Sequence, residues 1–254
     1  MIAILGTMKN KFIILLVSIL FVGAKAYSQE QPYNALYQLC YSGSGSHLMN
    51  LYVARLLNTD VTIIRKDKVL AYDKFNHLFH LTNNPRAPKY YRTHFSQKVP
   101  KDEKSFLLLL LRDYKECFFH EIINGMLKGS ISQEFSKFPK NMNSYFENIH
   151  FFDEWEGDKL ILYYEDFLFD PLPELQKLHN ELGLNVKDLP ALILRAKEES
   201  RNIFKLYPGR AHSRGKSTDY HMKSRSKEVA YQMNKKVKEH YPDLFDQYLF
   251  RYSE

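Results

Sequence analysis

Between Ser42 and His47 the chain reads Ser-Gly-Ser-Gly-Ser-His, between an apolar run and a segment of helical spacing. A glycine-containing turn between a strand and a helix aims several backbone N–H groups at one point. The helix N-terminus adds positive potential there, which suits a phosphate. The loop lacks the Lys-Ser/Thr pair that ends the nucleoside triphosphatase P-loop, which disfavours a P-loop kinase. Arg112 follows the apolar run Phe106–Leu111; its guanidinium can grip a phosphate through two hydrogen bonds, or pair with Asp113 or another acid. His94, after Arg92 and Thr93, can remove a proton from a hydroxyl near neutral pH, or serve structurally. Ser213-Arg214-Gly215-Lys216, close to Arg210 and His212, is either a clamp on an anion or a solvated basic loop.

These residues need elements to hold them. Ala35–Tyr41 reads as a short strand, and Leu48, Leu51, Tyr52 and Leu56 recur at helical spacing, so a strand, the Gly/Ser loop and a helix follow one another. Tyr90–His94 is a second strand, after the turn signal Asn83-Asn84-Pro85. The unalternating run Phe106–Leu111 predicts a strand covered on both faces. A helix follows it, with Phe118, Phe119, Ile122, Ile123, Met126 and Leu127 inward and Gly129 near its stop. Residues 130–150, rich in Ser, Asn, Lys and Phe without clear period, read as a mobile insertion. Leu160–Tyr164 is a further strand, and Asp170 caps a helix with Pro171 in its first turn, the stripe Leu175, Leu178, Leu182, and an end at Gly183. Helices over about 189–200 and 226–240 close the chain, the second with Val229, Met233 and Val237 on one face. Alternating strands and helices predict one α/β domain with a largely parallel central sheet flanked by helices. Ligands in such sheets sit at the carboxyl ends of the strands, where the Gly/Ser loop and Arg112 both fall.

The loop 42–48, Arg92-Thr93-His94, the strand end at Arg112-Asp113, Tyr164-Glu165-Asp166-Phe167 with Asp170-Pro171, and Arg214-Gly215 together resemble the sulfotransferase family in order and spacing. The resemblance runs over about residues 34–250. Its most specific piece is Tyr-Glu-Asp-Phe-x-x-Asp-Pro followed by a Leu-rich helix ending in Leu182-Gly183-Leu184. It implies a P-loop-type nucleotide-binding fold that takes 3′-phosphoadenosine 5′-phosphosulfate as co-substrate, with no metal. By that resemblance Gly43, Ser44, Gly45, Ser46, His47 and Leu48 would hold the 5′-phosphosulfate. Arg112 and His120 would face the 3′-phosphate, joined by Arg214 and Gly215, and Tyr164 would lie near the adenine. His94 would be the general base for an acceptor hydroxyl, on a carbohydrate or a small molecule. The chain departs from the family pattern at Gly43, where the loop carries a lysine or arginine, at His120 in place of a serine, at Tyr220 in place of a tryptophan and at Ser213 in place of an arginine. His47 or Lys216 is a candidate replacement for the loop cation. Two functions follow: an active sulfotransferase, or a degenerate member that binds adenosine 3′,5′-bisphosphate or a partner surface without turnover.

Composition agrees with a folded domain. The 254 residues are 44% apolar and 26% charged, with ten glycines, ten prolines and no internal period, which excludes disordered, collagen-like and repeat architectures. Two cysteines, Cys40 and Cys117, are too few for a disulfide framework and read as buried core thiols. Phe12–Ala24 is an uncharged, mostly apolar run after Lys9 and Lys11, followed by Ala24-Lys25-Ala26, the pattern of a secretory signal. Thirteen helical residues span about 20 Å, short of the roughly 30 Å hydrocarbon core, which disfavours the alternative of an uncleaved anchor. Residues 1–26 are thus expected to be a signal peptide and 27–254 the α/β domain, exported and meeting the membrane only in transit. Of 36 basic side chains three lie in that segment, leaving 33 against 29 acids. This mild excess suits a small anionic ligand and does not call for nucleic acid. The acceptor pocket is expected from residues 66–90 and 130–155, whose aromatics Phe135, Phe138, Tyr145, Phe151 and Trp155 read as core or as stacking faces.

Overall fold

The computed structural model describes residues 32–66, 69–70, 84–101, 104–123, 127–206 and 227–253. Residues 32–253 fall within one compact unit. The segment 1–26, residues 71–83, Met126 and the stretch 207–226, with Arg210, His212, Ser213, Arg214, Gly215, Lys216 and Tyr220, lie outside the described residues.

The apolar run becomes a strand of Ser105–Leu111, buried at every position, as expected of a chain with helices on both sides. Numbered along the chain, the strands are β1 (Ala35–Cys40), β2 (Val61–Ile64), β3 (Val69–Leu70), β4 (Lys89–Thr93), β5 (Ser105–Leu111) and β6 (Lys159–Tyr163). They form one sheet in the order β3-β2-β4-β1-β5-β6. Every pairing is parallel except β2 with β3, an antiparallel edge. Nothing in the sequence pattern announces β2 or β3, which are only four and two residues long.

The helices of six or more residues are α1 (Ser46–Leu57), α2 (Tyr114–Ile123), α3 (Ile131–Lys137), α4 (Asn143–Asp153), α5 (Tyr164–Phe169), α6 (Pro171–Glu181), α7 (Leu189–Leu206) and α8 (Lys227–His240). Residues of α1, α6 and α7 pack with Leu36, Cys40, Phe106, Leu108 and Leu110 on one face of the sheet. Those of α2, α4 and α8 pack with Tyr37, Leu39, Leu107, Leu109 and Leu111 on the other. Because successive strand residues point to opposite faces, β1 and β5 feed both cores at once. The chain is therefore a three-layer α/β fold.

One expectation changes. The stretch 130–150 is a packed part of the fold, carrying α3 and α4, with Phe138, Met142, Tyr145, Phe146 and Ile149 in the core. Met142, Tyr145, Phe146, Ile149 and Phe152 sit at helical spacing among polar neighbours, and that stripe binds α4 to the sheet. Helix α2 is described over Tyr114–Ile123, and Tyr114, Cys117 and Phe118 are buried on it. Of the other residues expected inward, Phe119, Ile122 and Leu127 are partly buried. The cap at Asp170 forms as expected: its Oδ1 accepts from the Leu172 amide at 3.1 Å, and Pro171 opens α6.

Candidate functional site

Strand β1 lies between β4 and β5 with all three parallel, so their carboxyl ends come together. The loop 41–45 leaves β1 there, His94 follows β4, and Arg112 follows β5. Strand order thus brings together three residues that the sequence separates widely.

The loop turns tightly. Ser44 donates to the Tyr41 carbonyl through its amide at 3.2 Å and its hydroxyl at 2.6 Å. Gly43 and Gly45 take φ of 78° and 81°, the left-handed region where a side chain strains the backbone. Space imposes the same choice. A Cβ on Gly43 would lie 2.6 Å from His120 Nδ1, and one on Gly45 would lie 2.0 Å from Tyr164 Cε2. Gly45 is also the N-cap of α1, so the first turn of that helix begins directly beyond the glycine.

Two buried arginines flank the loop. Arg92, on β4, donates to Ser46 Oγ at 3.1 Å. Arg112 donates to the Gly43 carbonyl at 2.6 Å, faces Glu116 at 3.7 Å, and stacks 4.7 Å from the centre of the Tyr164 ring. Each has a buried Nε without a partner among the described residues, and Arg92 has no carboxylate partner among them. A buried guanidinium beside the loop can neutralise an anion held there. Sequence reasoning quoted Arg92 only as part of a motif and assigned it no role; its position two residues before His94, facing the loop across β1, is the signal that could have found it.

His94 stands at the rim, partly buried. Its Nδ1 lies 2.8 Å from the Cys40 carbonyl. A carbonyl only accepts, so Nδ1 carries the hydrogen, and in the neutral ring Nε2 holds the lone pair. No described residue bonds Nε2.

Helix α2 covers the loop from the opposite face of the sheet to α1. His120 packs against Gly43, and Glu121 accepts from the Tyr41 hydroxyl at 2.6 Å. Burial pushes the Glu121 carboxyl above its usual range, against hydrogen bonds from Tyr41 and Ser42 that favour its charge. Behind Arg112, Glu165 accepts from the Asp113 amide at 3.0 Å and the Tyr252 hydroxyl at 2.8 Å, and burial raises its carboxyl too.

Of the residues singled out from sequence, Gly43, Ser44, Gly45, Ser46, His94, Arg112, His120 and Tyr164 come together here. His47 and Leu48 occupy the first turn of α1. Arg214 and Gly215 lie outside the described residues. Phe138, Tyr145 and Trp155 are core, and Phe135 and Phe151 pack against it, which is the core reading of those aromatics. Among the described residues no group of His, Cys, Asp and Glu could hold a metal ion.

No protein-family model matches the chain, and no curated protein matches it. Among solved structures it is similar to mouse sulfotransferase SULT7A1, described as complexed with PAP, at a TM-score of 0.47 and 18% identity over 66% of each chain. The chain thus spans just under two thirds of that protein's length. It is also similar to a sulfotransferase from Alicyclobacillus acidocaldarius, at a TM-score of 0.41 and 12% identity, covering 68% of this chain and 95% of that one. Both of these structures are sulfotransferases, the family that the sequence resembles.

Proposed function

We propose that the protein transfers a sulfonate group from 3′-phosphoadenosine 5′-phosphosulfate to an acceptor hydroxyl, and that residues 1–26 direct its export. The observation that carries this reading is the convergence of a two-glycine turn at a helix N-terminus, two buried guanidiniums, and a histidine, the two Nε atoms and the histidine's Nε2 having no partner among the described residues. These residues fit an anionic nucleotide at the loop. The first turn of α1 faces its 5′ end, and Arg112 with His120 faces its 3′-phosphate. Tyr164, pressed between Gly45 and Arg112, backs this part of the site.

In the reaction, His94 Nε2 takes the proton of the acceptor hydroxyl as its oxygen attacks sulfur. The bond from sulfur to the bridging phosphate oxygen breaks, and adenosine 3′,5′-bisphosphate departs with the electron pair. Arg92, acting beside Ser46, offsets the charge that grows on the leaving oxygens, as in other transfers dominated by positioning and electrostatics. The acceptor is a carbohydrate or small-molecule hydroxyl.

Gly43 favours a second reading, binding without turnover: the φ of 78° and the His120 ring over it leave no room for a loop cation. A transfer assay with labelled donor over a panel of glycan and phenolic acceptors, paired with calorimetry on adenosine 3′,5′-bisphosphate, separates the two. Transfer that His94→Asn lowers by about 10²–10⁴-fold, with nucleotide affinity kept, is the expected result. Binding without transfer supports the second reading, and no binding overturns both.

A further inference from the structure

The Cys40 side chain ends in a polar cluster at the base of the site, although its fully buried position suggests a filler of the core. Its Sγ lies 3.4 Å from His94 Nδ1 and 3.4 Å from the Thr93 carbonyl, to which the thiol donates. Its own carbonyl takes the Nδ1 hydrogen at 2.8 Å. Ser46, which accepts from Arg92, favours the charged form of the same sulfur. From α4, the buried Asn148 amide donates to the carbonyls of Cys40 at 3.3 Å and His94 at 3.2 Å. It thereby ties the ends of β1 and β4 together. Arginine and serine are thus paired at the loop, and sulfur and imidazole are paired at the strand ends.

We propose that Cys40 is a positioning residue for His94, its carbonyl and sulfur together fixing Nδ1 so that Nε2 is the nitrogen that takes the acceptor's proton. The proposal rests on the sulfonate-transfer reading for its use, and on the contacts above for its existence. A carboxylate or carbonyl commonly orients a functional imidazole in this way; here a carbonyl and a sulfur share the task. The sulfur adds what a carbonyl cannot, a group able to carry negative charge next to the ring. Burial by itself raises a thiol and lowers an imidazole. Against that, His94, Arg92 and the Ser46 hydroxyl bring the Cys40 thiol below its ordinary value, and Cys40 lifts His94 above its own. The charged groups around the ring are Cys40 from β1, Arg92 from β4 and Glu121 from α2; α4 presents only the neutral Asn148. Arg92 opposes the rise and Cys40 dominates it.

The test compares the protein with Cys40→Ala and Cys40→Ser. The His94 ring is followed by NMR titration, and turnover and donor KM are measured across pH. Alanine keeps the carbonyl and deletes the sulfur; serine keeps a hydrogen-bonding atom and removes the ionisable one. The expected result is a His94 midpoint that falls in both variants. The acid limb of turnover should move with it, kcat should be lower in the alanine variant than in the serine variant, and the donor KM should stay within about twofold. A His94 midpoint unmoved in both variants overturns the proposal, as does a tautomer with hydrogen on Nε2 in the parent protein. If one variant does not fold, the other decides the same question. The NMR titration needs no turnover, so it tests the Cys40–His94 pair even in a chain that transfers no sulfonate, whereas failure of the functional reading shows in the transfer and calorimetry experiments.

Discussion

At Gly45 backbone strain and the shape of the site meet in one residue. Its φ of 81° penalises any side chain, and the Tyr164 ring occupies the place where a Cβ would go. Gly183, with φ of 59° and nothing within 4 Å of a built Cβ, carries the backbone penalty alone. Gly183→Ala should therefore cost about 1 kcal/mol, the strain of a left-handed residue. Gly45→Ala should cost clearly more, and its cost should shrink when it is introduced into a Tyr164→Ala background. Urea denaturation of the two glycine variants, Tyr164→Ala and the double variant measures this. Equal losses at the two glycines would show that Tyr164 yields freely. The glycines were legible in the sequence because a strand-to-helix turn has few other ways to close. The partners that enforce them were not. His120 comes from α2 and Tyr164 from the start of α5, and only the parallel order of β1 and β5 brings those helices to the loop.

At the scale of elements, legibility followed periodicity and capping. Asp170 with Pro171 and the stripe Leu175, Leu178, Leu182 identified α6 from sequence, and all three leucines are fully buried. Asp170→Ala removes the side-chain acceptor for the Leu172 amide and should destabilise the fold by about 1 kcal/mol. Asp170→Asn, which keeps the acceptor, should stay within a few tenths of the parent; thermal denaturation of both decides it. Helix α4 was missed because its stripe is set among Asn, Lys and Ser that read as loop, and its neighbour α3 is only seven residues long. Yet α4 supplies Asn148, which joins the two strand ends beneath His94, and Tyr145, whose hydroxyl donates to the Arg112 carbonyl at 2.6 Å. Strands β2 and β3 escaped because short runs at a sheet edge carry little pattern.

Over the whole molecule, the buried acids behind the site set how stability responds to pH. Glu121 and Glu165 are raised above the ordinary 4.5, with burial the leading cause in both. A folded carboxyl that holds its proton more tightly than the unfolded one binds more protons between the two values. Stability then falls as pH climbs through that window. In the His94–Cys40 pair the raised histidine adds to the fall above 6.5, and the lowered thiol returns stability as pH climbs toward 9.0. Asp166, held down by its bonds to Arg251, acts only below its ordinary 3.8, where protonation removes its contribution. The melting temperature should therefore rise as pH is lowered toward 4.5 and fall again below 3.8. Glu121→Gln and Glu165→Gln should each flatten the upper slope. Glu121 also contacts Tyr41 and Ser42 at the loop, so its charge opposes an anion bound there, and that position separates the two variants. Nucleotide affinity should strengthen as pH falls in the parent protein and lose much of that dependence in Glu121→Gln, while Glu165→Gln leaves it in place. Calorimetry across the same pH range reads both outcomes, and an affinity slope untouched by Glu121→Gln would place the bound anion away from the turn at Ser42.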